Sequence, residues 1–80
     1  MTELVVMLVE DRHADVEVRV FADETAAHTA MEQYLKQPWT NPDEQHDTHN
    51  EAMRRAGWLR HVTYSCEGCC VSLRKVSLEG

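Results

Sequence analysis

Leu4-Val5-Val6-Met7-Leu8-Val9 is an unbroken run of six apolar residues, fenced by Glu3 and Glu10. A run of this length, rich in valine, suits a strand buried on both faces, hence a central strand of a sheet. The polar stretch 10–15 then reads as a turn. Val16-Glu17-Val18-Arg19-Val20 alternates strictly, which predicts a second strand with one face buried and the other wet. The two make a hairpin whose connection is too long for its register to be fixed by the loop alone.

A helix follows. Asp23 is placed to cap it and Glu24 adds favourable charge in the first turn. Ala26, Ala27, Ala30, Met31, Tyr34 and Leu35 recur at helical spacing and form one apolar stripe. Pro38 ends the helix by Gln37, because the residue before a proline avoids helical geometry. Asn41-Pro42-Asp43-Glu44 has the form of a second helix start, with Gly57 as its C-terminal stop, so a helix is expected over 42–56. Within it only Ala52, Met53 and Ala56 are core-directed. Residues 58–64 have strand composition, with Trp58, Val62 and Tyr64 on one face. A turn at 66–69 leads to a last strand in which Val71 and Leu73 are of one parity and Val76 and Leu78 of the other. A bulge near Arg74-Lys75, or a fraying end, would reconcile them.

The expected fold is therefore α+β: a two-layer sandwich of ββααββ order, with a four-stranded sheet and both helices on one face. With the first strand central, the strand order is 2-1-3-4; an all-antiparallel sheet is the alternative. Eighty residues make one domain, since a second would be too small to bury a core of its own. No run approaches the roughly 18 apolar residues of a membrane span. Glu3 stands where a signal peptide would carry Lys or Arg, so the chain reads as cytoplasmic. Isoleucine is absent and Arg outnumbers Lys six to two, which reads as the codon bias of a high-GC bacterial or phage genome.

The formal net charge is −6. Phosphate neutralisation needs a surplus of cations, so this balance argues against nucleic acid. The local cluster Arg54, Arg55, Trp58, Arg60, His61 is read instead as helix C-terminal charge complementation. The acids are concentrated: residues 1–51 hold 12 acids and 3 bases, residues 52–80 hold 2 acids and 5 bases. Such a dipolar chain is steered toward a partner with a basic surface. The acidic face of residues 10–17 or that of 43–51 is expected to meet it. Asp43, Glu44, Asp47 and Glu51 are the expected partner-binding residues, and Trp39, which otherwise plugs the end of the core, is an anchor if it is exposed. Free strands at the sheet edges leave room for a homodimer.

The sharpest chemical feature is Cys66-x-x-Cys69, followed by Cys70. Two thiolates at the ends of a tight turn make half of a zinc site. His46 and His49, three apart on the expected second helix, would complete His-x2-His…Cys-x2-Cys, a chemically acceptable set for structural Zn²⁺. The competing readings are a labile Cys66–Cys69 disulfide and three free cysteines that pack as small hydrophobes. A Cys–His nucleophilic pair, Cys66 or Cys70 with His61 or His49, is the weakest, because a two-layer domain of this size has little volume for a substrate pocket. No phosphate-binding or dinucleotide glycine motif is present. The expectation is a small acidic, non-enzymatic protein that acts by binding another protein, of the kind found among phage or mobile-element accessory proteins. The alternative is a small zinc-dependent domain.

Overall fold

The computed structural model describes residues 2–12, 15–64 and 68–78. In chain order its elements are β1 (Thr2–Glu10), β2 (Glu17–Phe21), α1 (Glu24–Tyr34), 3-10 turns at Pro38–Thr40 and Pro42–Glu44, β3 (His46–Asp47), α2 (Glu51–Arg55), β4 (Trp58–Thr63) and β5 (Cys70–Leu78). The chain is α+β, with a five-stranded sheet of order β2-β1-β5-β4-β3 in which every pairing is antiparallel.

The apolar run is a central strand, as its composition demands. Its neighbour on the far side from β2, however, is β5 and not the segment 58–63, so the order 2-1-3-4 gives way to the all-antiparallel alternative. β1 and β5 are each nine residues long and pair along their whole length, from Thr2↔Leu78 to Glu10↔Cys70. Two strands of matched length satisfy the most backbone groups when laid side by side. β4 then folds back on β5, and Tyr64 N donates to Cys69 O at 3.0 Å to close the turn between them.

α1 begins where expected. Asp23 Oδ1 accepts from Thr25 N at 2.8 Å. Ala27, Met31 and Leu35 are buried against Val5, Met7, Val9, Val62, Val71 and Leu73, while Ala30 and Tyr34 pack half-buried beside them. Ala26 remains exposed.

The helix expected over 42–56 does not form. Asn41 lies in the left-handed region, at φ 47°, and caps nothing; its Nδ2 donates instead to Tyr64 O at 3.0 Å. Gln45 is captured by the end of α1, its Nε2 donating to Leu35 O at 2.6 Å. The chain then adds the fifth strand, with His46↔Thr63 and Asp47↔Val62. Only from Asn50, whose Oδ1 accepts from Met53 N, does a single turn of helix form. The physical reason is the one visible in the composition: 42–51 has no apolar stripe with which to bury a helix, so tertiary partners win over capping signals. α2 packs chiefly on β4, so α1 alone is laid across the sheet.

The parity conflict resolves differently from expectation. β5 itself runs without a bulge against β1, and the register irregularity falls in β4, between Trp58 and Arg60, opposite Arg74 and Leu73. It turns Trp58 to the face opposite Val62 and lets Leu59 join the core. Val71 and Leu73 face α1, whereas Val76, opposite Leu4, faces the other way.

Candidate functional site

The second face of the sheet is not covered by α1: Val18 and Val20 are exposed on it and Leu4, Val6 and Leu8 half-buried, while Cys70 and Ser72 are buried. Across the register this face carries Leu4, Val6 and Leu8 of β1, Val18 and Val20 of β2, Cys70, Ser72, Arg74 and Val76 of β5, and Trp58, His61 and Thr63 of β4. Two regions differ. Toward β2 it is apolar. Toward β3 it is polar: Thr48 Oγ1 bonds His61 Nδ1 and lies 3.0 Å from Thr63 Oγ1. Among the described residues, the only carboxylate on this face is Glu10 and the only permanent cation is Arg74, whose guanidinium sits 5.3 Å above the Trp58 ring.

The alternation of 16–20 is real, but neither face of the stretch is buried: Arg19 is exposed and Glu17 half-buried on the side toward α1. Val16, Val18 and Val20 are 62, 57 and 59% exposed, while Phe21, on the face toward α1, packs against the core. β2 is the last strand of the sheet and pairs with β1 alone. Period-2 patterning shows that two faces differ, not which of them a helix covers. The run 4–9, apolar on both faces, is the signal that the uncovered side of this sheet would be apolar too.

A second cluster, unseen in the sequence, lies under the hairpin turns. The Tyr64 hydroxyl donates to Asp11 Oδ2 at 2.6 Å, the Cys69 thiol lies 3.6 Å from Asp11 Oδ1, and Arg12 N donates to Cys69 Sγ at 3.4 Å. Burial and then the Asp11 bond hold the Tyr64 hydroxyl far above its ordinary pKa. Asp11 and Tyr64 are 53 positions apart, so no local spacing could have paired them.

The expected site residues are distributed as follows. Trp39 is 57% exposed, its Nε1 donating to Tyr34 Oη at 3.3 Å with the rings edge to face. Asp43 and Glu44 are exposed on the second 3-10 turn, where with Pro38, Asn41 and Pro42 they line a shallow depression. Asp47 is exposed on β3, its Oδ1 accepting from His49 N at 2.9 Å. Glu51 is engaged by Arg54 at 2.6 Å and Arg55 at 3.4 Å. Of the zinc set, His46 is exposed on β3, and His49 Nε2 donates to Trp58 O at 2.8 Å. With no helix over 42–56, these two do not share a helix face. Cys69 is a buried free thiol on the core side, Cys70 a buried free thiol on the open side, and Cys66 lies outside the described residues. Among the described residues, no group of three or more His, Cys, Asp and Glu side chains is assembled in metal-binding geometry. Among them, no helix is long and apolar enough to cross a membrane. No family model, curated protein or solved structure matches the chain.

Proposed function

We propose that this chain is a small, non-enzymatic protein-binding module whose partner presents a basic surface. The observation that supports this most is Trp39. A tryptophan more than half exposed is costly to leave in water, and this one is held in place by Tyr34 next to the exposed acids Asp43 and Glu44. Asp47, on β3, is exposed as well, and the net charge of −6 steers cations toward the chain. Glu51, already paired with Arg54 and Arg55, contributes least.

The test is site-specific photo-crosslinking in cells from position 43, with the adduct identified by mass spectrometry. The expected adduct is one basic protein. Binding of that protein by the purified chain weakens as salt rises, because exposed charges are screened beyond roughly 8 Å at physiological ionic strength. Asp43→Lys, Glu44→Lys and Asp47→Lys together slow association more than they speed dissociation. Trp39→Ala raises the dissociation rate. An adduct whose binding ignores both salt and the charge reversals overturns the reading.

A further inference from the structure

Among the described residues, three of the four exposed large hydrophobic side chains are Val18 and Val20, on the edge strand β2, and Val16, the residue just before it. Among the described residues nothing pairs with the outer side of that strand. An apolar edge with open backbone groups is a template for another strand, and edges left unpaired are ordinarily guarded by charge, proline or a covering segment. Here the charges on the strand, Glu17 and Arg19, lie on the opposite side from the valines and alternate in sign.

We propose that β2 is a homodimer interface, in which two copies of this chain pair their β2 strands antiparallel about a two-fold axis through Val18. The register is chosen by the sequence. Centred on Val18, Val16 of each copy lies opposite Val20 of the other, and Glu17 of each lies opposite Arg19 of the other. Cross-strand neighbours of opposite charge stabilise a pair and like charges oppose it. A register centred on Glu17 or on Arg19 sets like charges face to face on the axis. The Val18 register has the form of an isologous contact: the same patch on both copies, self-complementary in charge. It joins the two five-stranded sheets into one of ten and sets six valines side by side on the open face. The Glu17–Arg19 pair within each strand, 2.6 Å in the monomer, already holds both side chains in the alternating arrangement that the second copy meets. This pairing uses a different surface from the Trp39 edge and stands independently of it.

The test is sedimentation equilibrium of the full chain from micromolar to millimolar concentration, with four variants. Wild type is expected to be a monomer–dimer equilibrium. Val18→Lys puts two ammonium groups on the axis and is expected to give monomer throughout. Glu17→Arg and Arg19→Glu each replace two opposite-charge pairs by two like-charge pairs, and each is expected to raise the dimer Kd by roughly tenfold or more. The double variant E17R/R19E restores both pairs with their signs exchanged and is expected to recover the wild-type Kd. All three positions are on exposed or half-exposed strand sites, and thermal melts confirm that each variant is folded. A wild-type chain that stays monomeric at millimolar concentration overturns the proposal. So does a dimer indifferent to Val18→Lys, or a double variant as weak as the single ones.

Discussion

Replacing Tyr64 by Phe removes one oxygen from a side chain that is 1% exposed. The ring and its edge-to-face contact with Tyr34, 6.5 Å between centroids, are kept. What is lost is the 2.6 Å bond to Asp11 Oδ2. A hydrogen bond to a charged acceptor contributes about 1.5–3 kcal/mol, and Asp11 is half-exposed, so water recovers part of it. A cost of about 1–2 kcal/mol follows. A domain of this size loses roughly 4–8 °C of Tm per kcal/mol. Thermal unfolding followed by circular dichroism should therefore show a drop on the order of 5–15 °C at neutral pH. The pH dependence is the sharper reading. The folded Tyr64 holds its proton far above the ordinary pKa near 10, first because it is buried and then because it donates to Asp11. Above pH 10 the unfolded chain releases that proton and the folded chain keeps it. The stabilisation is thus complete below pH 10 and declines above it, by about 1.4 kcal/mol per pH unit. Wild type should lose stability steeply between pH 10 and 12, and Tyr64→Phe should lack Tyr64's share of that slope. Equal alkaline slopes in the two proteins would show that the Tyr64–Asp11 bond does not tie the hairpin turns together.

Met31→Ala empties a fully buried site between α1 and the sheet and is expected to cost about 2–5 kcal/mol by urea denaturation, whereas Ala26→Ser on the exposed side of the same helix should stay within about 0.5 kcal/mol of wild type. Asn41→Ala loses the bond to Tyr64 O and places a Cβ residue less tolerant of φ 47° there, so it should destabilise more than Asn41→Gly, which loses the bond alone. Cys70 is buried and free, and burial followed by the neighbouring Glu10 raises its thiol pKa. It should label slowly with a thiol-directed reagent at pH 8 in the native protein and rapidly in denaturant, with mass spectrometry locating the adduct.

What was legible in the sequence is what local physics decides. The run 4–9 announces a central strand, Asp23 starts a helix and Pro38 ends it, and Ala27, Met31 and Leu35 mark its buried side. What was not legible depends on pairing across long stretches of chain. Nothing near β5 states that it will lie beside β1, some 70 positions earlier. The capping signals of Asn41, Pro42 and Glu44 were correct for a helix start, but a helix there had nothing to bury, and Gln45 found better acceptors at Leu35 and Thr40. The expected meeting of His46 and His49 rested on that helix. The valines of β2 were recognised as one face of a strand, yet the side to which α1 returns follows from the packing of Phe21 and of Met31, which no spacing rule reports.

The one-sided sheet with a free valine edge is tested most directly by methyl NMR with a soluble paramagnetic agent, recorded over a dilution series. At the lowest concentration the methyls of Val16, Val18 and Val20 should relax strongly while those of Val5, Val9, Val71 and Leu73, beneath α1, stay protected. As concentration rises, protection should spread first to Val18, at the proposed two-fold axis. Valine methyls of β2 that are shielded at every dilution, or that relax no faster than those under α1, would contradict both the open face and the edge it offers.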